Sequence, residues 1–292
     1  MKIPRHRHWL KILLTVVVSL AFLPGANAQQ GATPVNSPQS SPQQTTAEVP
    51  QEPVPEKILT NFVEAGGSYQ TLSNGFGLWG AGYVRGVVST GMNTWSAELN
   101  GQREFGDAGV YLAAADVHTF NSRWYGVLTL GSSLGGFFLP RFRADGFLNR
   151  KWSSRKQLIT TLGFGYDVAK DAHRDHSVFI GTTYYFEKPW IIEEGLRLNV
   201  SDPGAVVSPS GFVAATQGRN KQHYLTLNAG FGEEAYQLIG PHAVLTRFPS
   251  QTAALTWRQW AGKDWGFDLV VNFYHSPFYH RGGGSFGFFK EF

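Results

Sequence analysis

Three serine–histidine combinations in this 292-residue chain carry the residue types of nucleophilic hydrolysis: His118 with Ser122, His176 with Ser177, and His275 with Ser276. Such chemistry needs a histidine within hydrogen-bond reach of the hydroxyl, and a third group to orient the ring. Adjacent strand residues point to opposite faces, so His176–Ser177 and His275–Ser276 qualify only in a loop. None of the three sits in a lipase or deacylase motif, and no catalytic residue is assigned. The run KDAHRDHS at 170–177 offers His173, Asp175 and His176 as metal ligands. Loop histidines beside charges are usually solvated, so neither a metal nor a cofactor is expected. GSSLGG (131–136) and GFGEE (230–234) lack the strand–turn–helix context of a phosphate loop. They read as strand ends and loops, and the GGG at 282–284 as a flexible lead-in to a final strand.

A second group of charged residues stands at alternate positions. Arg141, Arg143 and Asp145 share one face of a strand, opposite Phe142, Ala144 and Leu148. Glu64, Glu98, Arg197, Arg258 and Asp268 occupy polar faces of other strands. Opposite charges that share a narrow interior pair up, because an isolated buried charge is costly. Two roles remain open for this set: ion pairs that hold a barrel's shape, or a polar lining that selects a small solute or sugar.

The elements that carry these residues follow from composition and periodicity. Charged residues make up 16% of the chain, aromatics 14%, and glycines number 34. Typical soluble domains carry about 25% charged residues. From about Asn61 onward the pattern has period two. Trp95, Ala97 and Leu99 alternate with Ser96, Glu98 and Asn100; Leu225, Leu227, Ala229 and Phe231 alternate with Thr226, Asn228 and Gly230. Strands of about 9–11 residues are long enough to cross a bilayer when tilted. Only alternate residues then face lipid, which keeps the mean hydropathy near zero.

Trp95, Trp124, Trp190, Tyr224 and Trp265 each follow a short turn. Such rings favour the headgroup level, so they form an expected girdle at one end. Phe286, Phe288 and Phe292 share one face of the last nine residues, a form similar to the signal read by the outer-membrane assembly machinery. Lys290 interrupts that face, and its long stem can snorkel to the boundary. A sheet in lipid must close, since unpaired edge groups find no water there. The expected fold is an all-β, antiparallel, up-and-down transmembrane barrel. Fourteen strands are placed near 61–70, 77–88, 93–105, 108–119, 123–134, 141–151, 157–167, 176–187, 190–200, 210–217, 222–231, 249–261, 265–275 and 283–292. Twelve or sixteen also fit, because residues 232–248 read equally as a long loop or as hidden strand.

The barrel occupies residues 57–292. Residues 1–28 read as a signal peptide, with Lys2, Arg5 and Arg7 before an apolar run and Ala26-Asn27-Ala28 before cleavage near Ala28. Residues 29–56 are rich in Pro, Gln and Ser and read as a disordered periplasmic tether. With the basic leader removed, acidic and basic residues balance, which leaves no case for nucleic-acid binding. The chain has no cysteine, which excludes disulfides, thiolate chemistry and lipoprotein anchoring.

The stretch VEAGGSYQTLSNGFGLWGAGYVRG (63–86), the run LPRFRADGFLNRKW (139–152) and the aromatic terminus resemble the YaiO-type outer-membrane β-barrel proteins. The resemblance spans roughly residues 58–292. It implies a bacterial outer-membrane barrel without established activity, and by context a link to surface or exported polysaccharide. The expected function is a non-enzymatic structural or transport role. Its partners would be outer-membrane lipid, the assembly machinery during insertion, and a glycan or small solute in the lumen. The rival is a lipid-modifying enzyme of lipase or deacylase type.

Overall fold

The computed structural model describes residues 61–152, 156–187 and 189–292. The expected signal peptide and tether lie outside the described residues. The described chain forms fourteen antiparallel strands. These are β1 (Phe62–Leu72), β2 (Leu78–Thr90), β3 (Asn93–Glu104), β4 (Asp107–Thr119), β5 (Trp124–Gly135), β6 (Phe142–Trp152) and β7 (Leu158–Val168), followed by β8 (Arg174–Tyr185), β9 (Trp190–Asp202), β10 (Val206–Arg219), β11 (His223–Gly240), β12 (Ala243–Trp260), β13 (Trp265–His275) and β14 (His280–Glu291). Each pairs with its sequence neighbours. The sheet closes where β1 meets β14, in register from Phe62↔Glu291 to Leu72↔Arg281. No strand is left as an edge, which is the condition for a sheet in hydrocarbon.

The fourteen-strand expectation holds, and each expected strand overlaps an observed one. Residues 232–248 are strand, not a long loop: β11 and β12 run on into an 18-residue hairpin arm each, turning at Pro241-His242. The glycines at 282–284 are likewise inside β14, paired to both neighbours, not a lead-in. A Cβ on Gly284 would stand 2.5 Å from the Val270 carbonyl, so the packing there requires glycine.

The two faces of the wall differ as the period-two pattern demands. Leu196 and Leu227 on the outer face are 60% and 59% exposed, whereas Glu64 and Glu98 on the inner face are 0% and 3% exposed. Apolar outside and polar inside is the inverse of a soluble protein and the arrangement lipid requires. The end that holds Asn61 and Phe292 is called the terminus end below, and the opposite one the far end.

Candidate functional site

The interior is the candidate site, and it is layered. At the terminus end, inward apolar side chains gather in two buried clusters, with Lys151, Glu193 and Glu291 buried among them. Val87, Val117, Tyr125, Ile159, Tyr185 and Ile191 belong to one buried cluster, and Tyr224, Trp260 and Phe289 to a second. Tyr224 therefore does not join the girdle. It is 2% exposed, with its ring 5.6 Å from that of Trp260. Leu225 faces outward, so strand parity turns Tyr224 inward, and parity outweighs proximity to the turn. The other girdle candidates do face outward: Trp95, Trp190 and Trp265 are exposed, and Trp124 lies under the Arg150 guanidinium at 5.2 Å. Trp152, missed by the sequence reading, joins them, with Arg150 3.6 Å above its ring. Phe286, Phe288 and Phe292 are all outward and exposed.

Two ion-pair networks occupy the middle of the lumen. On one wall Glu64 of β1 accepts from Arg85 at 2.8 Å and from Tyr83 Oη at 2.7 Å, with Arg258 at 3.5 Å. Arg258 in turn donates to Asp268 at 2.7 Å and lies 3.7 Å over the Phe289 ring. On the other wall Arg143 donates to Asp145 at 2.6 Å, and Arg197 donates to Ser177 at 2.8 Å with Asp145 at 4.0 Å. Seven of the eight expected lumen residues thus point inward. Arg141 is the exception. It precedes β6 at the far-end rim, exposed, and donates to the Lys170 carbonyl at 3.3 Å. The chain enters β6 only at Phe142, so alternation does not yet govern it.

Beside the second network the wall carries aromatic packing, edge to face between Phe147 and Phe179 and parallel between Phe179 and Phe212. A Cβ on Gly163, Gly181 or Gly195 would stand 2.5–2.7 Å from the Phe147 or Phe179 ring. These glycines make the floor on which Phe147, Phe179 and Phe212 lie. β3 is different: its inward residues Thr94, Ser96, Glu98, Asn100, Gln102 and Glu104 are all polar, and all at most 5% exposed. Ser96, Glu98, Asn100, Gln102 and Glu104 each hold a buried polar atom without a protein partner.

The β5–β6 loop lies at the far end. Gly135 and Gly136 take positive φ (64° and 59°), a conformation glycine adopts without strain, and turn the chain inward. Phe138 and Leu139 are then buried at 5% and 4% exposure, although they lie in a loop. Phe137 N donates to Asp107 at 2.9 Å, Ser133 Oγ to the Pro140 carbonyl at 2.6 Å, and Lys170 Nζ to the Gly135 carbonyl. Phe137 meets Phe105 at 6.3 Å, which stands edge-on to Trp79 at 4.9 Å, and Phe76 joins Tyr279 at 5.2 Å. Arg281 lies 4.6 Å over the Trp79 ring.

The serine–histidine pairs do not assemble. His118 points outward and bonds Asn93 at 2.9 Å. His176 faces outward against the Tyr166 ring, while Ser177 faces the lumen. His275 bonds His280 at 2.8 Å, and Ser276 Oγ accepts from Phe278 N and Tyr279 N in its own turn. Within 170–177, His173 pairs with Asp171 at 2.5 Å, Asp175 turns inward to Ser201, and His176 turns outward, so the three do not converge.

Comparison with solved structures finds the same architecture. The CymD monoaromatic hydrocarbon channel aligns with a TM-score of 0.54 at 7% identity, covering 80% of this chain and 88% of that one. The P. putida toluene transporter TodX aligns with a TM-score of 0.50 at 10% identity, covering 80% and 90%. At such identities the likeness concerns the fold alone. No curated protein matches the sequence. The YaiO membrane beta barrel domain matches residues 60–237, well over half the chain, and the protein is a member of that family of membrane barrels.

Proposed function

We propose that the protein is a non-enzymatic barrel of the bacterial outer membrane, a conduit that is shut at rest, with the β5–β6 loop as its gate. One observation carries this reading: every inward residue of β3, from Thr94 to Glu104, is buried. A water-filled pore would leave such a row exposed. The terminus end would face the periplasm, continuing from a leader cut near Ala28 and a tether. Phe286, Phe288 and Phe292 would serve as the assembly signal.

CymD is named a monoaromatic hydrocarbon channel and TodX a toluene transporter. An aromatic hydrocarbon fits poorly beside the charged networks of this lumen. The polar row on β3 favours a hydroxylated cargo instead. Its unpartnered atoms include both donors and acceptors, as sugar hydroxyls require. Export of a glycan is the second reading, supported by that row alone. Among the described residues, no contact between the serine–histidine candidates supports the lipid-modifying alternative.

The test is single-channel recording in planar bilayers. The wild type is expected to be silent. A variant with Phe137–Leu139 replaced by one glycine is expected to conduct. A steady wild-type conductance, or a silent loop variant that is folded, contradicts the gate.

A further inference from the structure

His275 and His280 close the β13–β14 hairpin at the far end, and the lumen reading uses neither. They face each other as the last cross-strand pair of that ladder. Tyr274, Ser276, Tyr279 and Arg281 beside them are buried, so strand parity turns both imidazoles to the outer face. There His280 is exposed and His275 half-buried, and both rings reach solvent.

The two rings meet by their nitrogens. Nδ1 of His275 lies 2.8 Å from Nδ1 of His280, with ring centroids 4.6 Å apart and planes 11° from parallel. In a neutral pair one Nδ1 carries the proton and the other accepts it. The backbone beneath is held on both sides. His280 N donates to Ser73 Oγ at 2.9 Å, and Ser73 N donates to the His280 carbonyl at 2.9 Å. Ser276 N donates to the Tyr279 carbonyl at 3.1 Å, and Asn74 Nδ2 to the Phe278 carbonyl at 2.7 Å. The Phe273 ring stacks on His280 with centroids 6.4 Å apart. Two imidazoles on a hairpin end fixed in this way are a preorganised pair of nitrogen donors.

Imidazole nitrogen suits transition metals, whereas Mg(II) and Ca(II) take oxygen. The separation then chooses among the transition metals. An ion about 2.0 Å from each nitrogen sees the observed 2.8 Å pair at an angle of about 90°. That is the cis angle of a tetragonal ion, whereas tetrahedral Zn(II) needs its nitrogens about 3.3 Å apart. Cu(II) favours tetragonal geometry and binds nitrogen sites more tightly than the other divalent first-row ions.

We propose that His275 and His280 form a Cu(II) site on the outer rim of the barrel. The shared proton moves from Nδ1 to Nε2 of its own ring. Both Nδ1 lone pairs are then free for the ion, and no net proton is released. Gln251 pairs with His275 across the β12–β13 ladder, next in the same outer row, and offers its amide oxygen to a third position. Among the described residues no group of three His, Cys, Asp or Glu side chains converges, so water completes the coordination. The site lies outside the bore and does not depend on whether the passage is shut.

The test uses the full chain, folded in detergent and carrying no histidine tag. Copper(II) sulfate is added and excess ion is removed by gel filtration. Metal analysis and electron paramagnetic resonance then read what stays. The wild type is expected to keep one Cu(II) per chain, with a tetragonal spectrum split by two nitrogens. His275→Ala and His280→Ala are each expected to lose that ion, whereas His118→Ala and His173→Ala keep it. Migration on unheated gels checks that each variant is folded, and His280→Gln replaces an alanine variant that is not. A wild type that keeps no copper overturns the site. So does copper kept equally by the wild type and the His275→Ala, His280→Ala double variant, or a wild-type spectrum with a single nitrogen.

Discussion

Glu64 is fully buried, yet three groups reach its carboxylate: Arg85, Tyr83 and Arg258. Removing one partner from such a network leaves a guanidinium uncompensated in a low-dielectric interior. Glu64→Leu is therefore expected to destabilise the barrel by about 3–5 kcal/mol, read from urea unfolding in micelles. A smaller loss, comparable to a surface pair, would mean that water reaches the network. At the membrane boundary the balance differs. Asp264, in the β12–β13 turn, receives a hydrogen bond from Lys290 at 2.6 Å, and that bond holds its carboxyl below the usual range. A depressed folded-state pKa stabilises the protein above the ordinary carboxylate range, and the benefit is lost as pH falls through the folded value. NMR titration is expected to show Asp264 returning to ordinary behaviour in Lys290→Gln. The snorkelling expected of Lys290 has this turn as its anchor. Residue identities made the charged interior legible, since Glu64, Glu98 and Asp268 fall on polar faces of alternating strands. Which charge meets which was not legible, because pairing depends on register between strands distant in sequence.

At the scale of elements, period two fixed most strand positions, and it failed where alternation was broken. In β11 and β12 the register shifts between Leu238↔Val244 and Gly240↔Ala243, and Arg247 takes a positive φ of 41°. That irregularity hid the extended hairpin from a pattern search. Tyr224 shows the opposite: the alternation around it is regular and turns it inward, although its place after a turn suggests the girdle. The glycine floor under Phe179 was not legible either, since glycine carries no face preference in a pattern. Gly195→Ala would bring its Cβ to 2.5 Å from the Phe179 ring. Overpacking of this kind is expected to cost about 1–3 kcal/mol, checked by the same urea midpoint. At the end of β14, Phe292→Ala removes an exposed ring that contributes nothing to the interior. It is expected to lower the assembled fraction in cells while leaving the unfolding midpoint of purified barrel unchanged. A shifted midpoint with normal assembly would assign Phe292 a stability role instead.

For the whole molecule, closure of β1 on β14 solves the edge problem, and the layered interior is the basis for the proposed shut passage. The barrel size follows from the number of strands, but whether a barrel is hollow or filled depends on side chains. Here the apolar clusters at the terminus end, the two charged networks and the folded-in β5–β6 loop follow one another along the bore. The loop's sequence, GFFLP, gave no sign of inward folding beyond its apolarity, because the loop acquires meaning only against Phe105 and Asp107 of the neighbouring hairpin. The absence of cysteine makes the claim of a shut bore directly measurable. A single cysteine at the mid-lumen position, Asn100→Cys, is placed in the wild-type chain and in the chain with Phe137–Leu139 shortened to glycine. Each is reconstituted in liposomes and exposed to a membrane-impermeant maleimide. The wild-type background should stay unlabelled and the shortened loop should admit the reagent, whereas rapid labelling behind the intact loop would contradict a barrel that is shut at rest.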